Sequence, residues 1–503
     1  MKFNLVYIFI LMTSLCFSQE ITKGNIVKDR QFLIDKGELT ANDNQGNFIS
    51  IRPHTINGSL RNYFVEFFEN ENFTDRIEIE TKDDTEILKV FLLNHKAYVF
   101  IKERENRSIT LKLNSVDLDT KQQFQQVIFS ASKEENINIF RALKDSYNIK
   151  LLTDSSLVLS FPVVEDKELY NVVKIFSEDL KETADYKITA SETSTSKNTV
   201  FLNTFQIDGK IYSLFQEENN ANENFYKLVE TDNEAQRFLE IKIPDGTFEL
   251  VNSRSRNKQM IISGLYSKYK KGGFSGFTYY NIDLNKFQYT SKQSPFLNEN
   301  ASRFFSGLFK GNRSIDIKDI FINDNLDTYI VAQFYILRKN VAPVGIPIAS
   351  FTFAGVTGFI TFNPVSSSYK VFDDILIGKI NSSGELLWDN LLQLRQTEKI
   401  SSKSNKRDSS TFTFFSNNEI NILINGSIDE DKEELIVKQD KRPSKTNFYN
   451  ITVNPHGGIT PNILFSNKDS ETIFRTENAV MSDNIIHILG QGNMRKQLLL
   501  LKI

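Results

Sequence analysis

The residues that do most enzyme chemistry are few and scattered in this 503-residue chain. There are four histidines, His54, His95, His456 and His487, and each stands alone in its stretch. None has a second ligand at the spacing a zinc site needs, so each reads as a turn or surface residue. The one cysteine is Cys16 and the one tryptophan is Trp388. No G-x-S-x-G elbow, H-E-x-x-H helix, phosphate-binding G-x-x-x-x-G-K-[ST] loop or G-x-G-x-x-G turn is present. Carboxylates are plentiful but unpatterned. Asp373-Asp374 precede a strand, and Asp429-Glu430-Asp431 with Glu433-Glu434 read as a solvated hairpin tip. Asn42-Asp43-Asn44-Gln45-Gly46-Asn47 faintly resembles a calcium loop, but lacks its alternating acids and terminal Glu. No catalytic residue, metal site or cofactor is therefore assigned.

Charge points away from nucleic acid. The formal net charge is -3, so no global field draws a polyanion. Local basic runs occur at Lys399, Lys403, Lys406 and Arg407, and at Lys438, Lys441, Arg442 and Lys445. Lys268, Lys270 and Lys271 stand beside Tyr269 and Phe274. Such runs usually face solvent; contact with an acidic partner or a lipopolysaccharide phosphate is the alternative.

The most informative stretch has no charge at all. From Asn340 to Tyr369 there is no Asp, Glu, Lys or Arg. Pro343, Gly345, Pro347, Gly355, Gly358 and Pro364 interrupt it too often for a spanning helix. It reads as a long apolar hairpin or wandering loop. Loops face water and are normally polar, so this one must be buried in its own fold, a partner or a membrane surface. The candidate partner-binding residues are Phe351, Phe353, Val356, Phe359, Ile360 and Phe362.

The elements around these residues read as strands. The chain has 42 Phe and 17 Tyr, which suits sheets. Period-two alternation recurs at Tyr98 to Ile101, Ile109 to Leu113, Leu157 to Phe161, Ile211 to Phe215, Ile420 to Ile424 and Ile485 to Leu489. Asp208-Gly209 and Asn454 to Gly458 are hairpin signals. Only Glu134 to Lys144 offers a short helix, or else a loop. Strands group into modules at 42–80, 85–129, 147–189, 199–243, 247–290, 316–394, 410–465 and 472–503. Four-stranded repeats of this size predict an all-β fold, a β-propeller of seven or eight blades closed by the N- and C-terminal strands. The closing pair is expected between Gln31 to Ile34 and Gln497 to Ile503. Stacked β-sandwiches are the competing architecture. With one Trp, propellers that dock a tryptophan in every blade are excluded, and the sialidase Asp-box phrase is missing.

The first residues predict export. Lys2 is a basic start, Phe3 to Leu15 an apolar run too short to span, and Cys16-Phe17-Ser18 a cleavage signal. The organisation expected is a signal peptide at 1–18 and a single propeller domain at 19–503, with the apolar insert at about 340–370. Lipidation at Cys16 is the competing reading, against which stands the bulky Leu15. No later stretch reads as a transmembrane span.

One region carries a resemblance. Ile262-Ser263-Gly264-Leu265-Tyr266-Ser267 leads into Gly272 to Phe277 and Tyr279 to Ile282. Asp374 to Ile380, Gly384 to Trp388 and Gln393 to Gln396 follow. This phrasing resembles poorly characterised secreted β-propeller-like proteins of Bacteroidota. The resemblance spans about 260–396 and implies a fold and a compartment, with no known reaction. Gly490 to Ile503 reads as a final blade with no sorting domain appended. The expected location is thus the periplasm, with association to the outer membrane. The expected function is a non-enzymatic envelope protein that docks a protein partner, as a monomer within a hetero-complex. An accessory subunit of an outer-membrane secretion (type IX) or gliding assembly is the concrete version. The alternative is a periplasmic glycan-binding or hydrolytic propeller.

Overall fold

The structure, a computed structural model, describes residues 20–28, 39–56, 59–81, 85–105, 108–132, 148–151, 156–165, 168–190, 199–218, 223–232, 235–268, 273–306, 313–340, 350–353, 356–359, 367–400, 411–428, 436–438, 446–476, 479–492 and 495–503. It is nearly all strand, about 75%, in eight four-stranded antiparallel blades, and the fold is a β-propeller. Blades 1 to 7 run over 39–80, 85–132, 148–189, 199–242, 248–295, 313–400 and 411–466. The eighth combines 473–502 with a strand from the other end of the chain. Each lies close to the module expected for it.

The chain packs as two compact units, 136–466 in one and 1–135 with 467–503 in the other. In both, the core is a series of apolar layers between consecutive blades. Blades 1 and 2 meet through Ile49, Ile51, Val65, Ile77, Val90 and Val99. Blades 4 and 5 meet through Leu214, Leu228, Met260, Ile262 and Ile282. A middle strand therefore has a neighbouring blade on each face. Gln259–Ser267 is buried from Met260 to its end, whereas the fourth strand Glu182–Thr189 alternates. That is why the middle strands read as continuous apolar runs and the outer ones as polar.

The closing strand differs from the one expected. Glu20–Lys23 pairs antiparallel with Arg495–Lys502, Glu20 opposite Lys502 and Lys23 opposite Leu499. The Gly24 amide continues the ladder to the Leu498 carbonyl at 2.9 Å, and Val27–Lys28 pairs further along the same strand. A side chain at Gly24 would begin 1.8 Å from the Glu71 carbonyl oxygen, so this crossing needs glycine. Gln31 to Ile34 lies outside the described residues, as does Glu134 to Lys144. Closure is made by backbone pairing, which leaves little pattern in four residues with polar Glu20, Thr22 and Lys23.

The described helix of the fold, α1 (Glu299–Ser306), was not expected. Asn298 caps it, its side-chain oxygen accepting from the Asn300 and Ala301 amides at 2.9 and 3.2 Å. Ala301 and Phe305, four apart, are its buried face.

Candidate docking site

The two ends of the blades differ. First-to-second connections are tight. Asn94-His95, Asp208-Gly209, Asn257-Lys258 and Asn417-Asn418 each place two consecutive residues at positive φ. That is the type I′ hairpin turn, whose twist matches that of the strands. Slightly longer turns at this end are tied by side chains. The Asp43 carboxylate accepts the Gln45 and Asn47 amides, each at 2.9 Å. The stretch that resembled a calcium loop is thus a self-capped turn. Asn454 does likewise for the His456 and Gly458 amides. Second-to-third and interblade connections emerge at the opposite end, and the elaborations gather there. They include α1 and the insert of blade 6.

Blade 6 is built to carry that insert. Its second, third and fourth strands, Thr328–Asn340, Ser367–Ile380 and Leu386–Ile400, hold 13, 14 and 15 residues. Their pairing continues to Asn340 opposite Ser367 and to Ser368 opposite Ile400. The insert leaves from the tip of this extension and forms a separate two-stranded sheet. Ser350–Phe353 pairs antiparallel with Val356–Phe359, in the register Phe351 opposite Gly358 and Phe353 opposite Val356. The hairpin thus brings together four of the six candidate residues, Phe351, Phe353, Val356 and Phe359. Ile360 and Phe362 lie outside the described residues. Nearby, Ile436–Lys438 runs parallel to Gln393 to Arg395 and antiparallel to Ser427 and Ile428. This strand welds blades 6 and 7 into one nine-stranded sheet at the base of the extension.

A second polar feature runs along the first strands of blades 3 to 7, whose inner edges have no strand neighbour among the described residues. Lys150 Nζ donates to Asn203 Oδ1 at 2.6 Å and to the Thr204 carbonyl at 2.7 Å. Asn203 Nδ2 donates to Ser253 Oγ at 3.1 Å. Arg254 and Arg256 reach the Ile320 and Ile322 carbonyls at 2.9 and 2.5 Å. The Thr413 hydroxyl donates to Asp319, whose carboxyl burial pushes above the usual range against the pull of Thr413, Arg254 and Lys318. In each contact a side chain joins two consecutive blades, and three of the donors cover open edge carbonyls. The sequence reading missed this rail; its local signal is cations inside first strands, Lys150 in Asn148–Leu151 and Arg254 and Arg256 in Phe248–Arg256.

Two of the four histidines meet at one turn: His95 Nε2 lies 3.2 Å from Asn47 Nδ2, and His487 Nε2 lies 3.1 Å from the Gly46 carbonyl. His95 and His456 occupy turns, and His54 lies in the strand Phe48–Ile56. His487 is fully buried in the second strand of blade 8, a correction to its expected surface role. Among the described residues no group of three or more His, Cys, Asp or Glu is placed to hold a metal. Among the same residues, no helix is long and apolar enough to cross a membrane.

No family model and no curated protein sequence matches the chain. Solved structures with a similar fold include the WD40 domain of SCAP from fission yeast, at 8% identity, 96% of this chain, 98% of that one and TM-score 0.37. The polysaccharide lyase Uly1 is similar at 7% identity, 82% and 89% coverage and TM-score 0.41. The β-propeller domain of the Trilobed protease from Pyrococcus furiosus is similar at 10% identity, 74% and 97% coverage and TM-score 0.36.

Proposed function

We propose that this chain is a non-enzymatic β-propeller of the cell envelope that docks a protein partner through the insert of blade 6. The observation that carries the reading is one stretch without charge at the tip of a purpose-built extension. Residues 340–369 lack any ionisable Asp, Glu, Lys or Arg. They are held out on strands longer than those of any other described blade. Binding residues concentrate on loops held by a rigid scaffold, and apolar side chains so placed gain free energy by leaving water. Burying three or four of Phe351, Phe353, Phe359 and Phe362 would contribute roughly 5 to 10 kcal/mol before ordering costs.

The export signal read in residues 1–18 supports a periplasmic location, and the resemblance to secreted propeller-like proteins supports the same compartment. An outer-membrane protein is then the partner to expect, and a secretion (type IX) or gliding assembly the machine. The test is an affinity pull-down of the tagged protein from gently solubilised envelopes, with mass spectrometry of what accompanies it. A stoichiometric outer-membrane partner is expected. Changing Phe351, Phe353, Phe359 and Phe362 together to Ser should remove it without moving the unfolding midpoint. Association unchanged in that variant would sink the docking role. Recovery of a partnerless monomer would direct the work to a ligand screen for glycans instead.

A further inference from the structure

Ile79 and Val116 belong to the apolar layer between blades 1 and 2. On the outer strands of blade 2, Gln123 lies opposite Val116 and Gln125 opposite Asn114. Cross-strand partners share a face, so the three amides look with Val116 toward blade 1. Facing them is the outer strand of blade 1, Asn72–Glu80. Between the two lies a cleft of about 350 Å³, lined by Ile79, Asn114, Gln123 and Gln125 together with Glu78 and Glu80. Gln123 Nε2 donates across it to the Glu78 carbonyl at 2.8 Å. Asn114 is only 5% exposed, yet its Oδ1 meets no donor among the described residues. A buried acceptor left unmet is costly, and a cleft that ends on one favours a ligand that brings an N–H or O–H. The described lining holds two glutamates and no cation, which disfavours an anion. An added β-strand is disfavoured too, because Gln123 already occupies the edge carbonyl of Glu78 that such a strand would use.

We propose that this cleft binds an N-acetylated sugar by its acetamido group. Asn114 Oδ1 accepts the acetamido N–H, and the amide of Gln125, its cross-strand partner, donates to the acetamido carbonyl. Ile79 provides apolar surface for the methyl group. Gln123 stays on the Glu78 carbonyl and holds the two walls together. A neutral acetamido group supplies in one piece the donor, the acceptor and the methyl that Asn114, Gln125 and Ile79 require. Both walls belong to the compact unit of 1–135 with 467–503, and the site is independent of the insert of blade 6.

The test uses the full chain and saturation-transfer NMR, with N,N′-diacetylchitobiose as probe. Cellobiose, which has the same two rings with hydroxyls in place of the acetamido groups, is one control. N-acetylalanine methylamide, which has the secondary amide and no sugar ring, is the other. The strongest transfer should fall on the acetamido methyl protons. The probe should bind at least about tenfold tighter than cellobiose, whose hydroxyl can meet Asn114 but leaves Gln125 and Ile79 without their partners. Gln125→Ala, at an exposed position, should weaken the probe about tenfold at an unchanged melting temperature. Asn114→Leu removes the unmet acceptor and should abolish binding while melting no lower than the wild type. Absence of transfer at about 10 mM probe overturns the proposal, as does cellobiose binding equally well. Equal or tighter binding of the methylamide would assign the cleft to peptide and overturn it too. So would affinity untouched by Gln125→Ala, a variant that decides the matter even if Asn114→Leu folds poorly.

Discussion

His487 is buried, and its burial is tolerated only while the ring is neutral. Its Nε2–H donates to the Gly46 carbonyl and its Nδ1 accepts from Asn42 Nδ2, both at 3.1 Å, with Phe48 stacked on the ring. Burial lowers the imidazole to about 4, outweighing the Gly46 bond and the nearby Asp43. The unfolded chain takes up this proton near pH 6.5 and the folded chain only near 4. Stability is therefore intact above about pH 6.5 and is lost as pH falls toward 4, by about 3 kcal/mol in all. Unfolding midpoints measured from pH 7 to 4.5 should fall, and His487→Gln should flatten that slope. Two other buried carboxylates are each met by several donors. Glu249 accepts from Tyr226, Thr278, Tyr280 and Gln293 at 2.7 to 3.0 Å. Glu66 gathers Arg52, Arg76 and Lys496. Neither cluster was legible beforehand, since their members come from two blades and share no spacing. A lone histidine or glutamate in a strand carries no mark of what will pack over it.

At the scale of elements, the strands were legible and the turns only in part. Alternation and apolar runs marked Ile211 to Phe215 and Ile420 to Ile424, which lie in Lys210–Glu218 and Glu419–Ile428. Of the four type I′ turns, only Asp208-Gly209 has the composition that announces one. Asn94-His95, Asn257-Lys258 and Asn417-Asn418 adopt the same geometry because strand pairing on both sides imposes it. These non-glycine residues at positive φ are held there by the sheet. Gly209 sits at φ 79°, and a methyl group there would meet no atom within 4 Å. Gly209→Ala should therefore cost about 1 kcal/mol for backbone conformation alone, read as a shifted urea midpoint at an unchanged slope. A larger loss would mean that the turn contacts something more. Helix α1 escaped notice because its eight residues span barely two turns, too few for a periodic signal to rise over the capping Asn298.

At the scale of the molecule, closure depends on a few residues far from the rest of their blade. Removing residues 20–28 would bare the outer edge of Arg495–Lys502, a strand whose Leu498 to Leu501 are buried. Such an edge is an invitation to pair with another chain. The truncated protein should melt lower and form concentration-dependent oligomers in sedimentation, while the full chain should not. If the truncated chain stays monomeric at an unchanged melting temperature, the closing strand is dispensable. The sequence by itself determined the all-β character, the modular rhythm and the position of the uncharged insert. Each of these follows from local periodicity and composition, which any reading along the chain can detect. Tertiary structure decided that the blades number eight and that Glu20–Lys23 closes the last one. It also decided that Lys150 meets neutral acceptors and that His487 is sealed from water. Those outcomes depend on which residues from distant parts of the chain come within a few ångströms, and burial and hydrogen bonding act on that proximity alone.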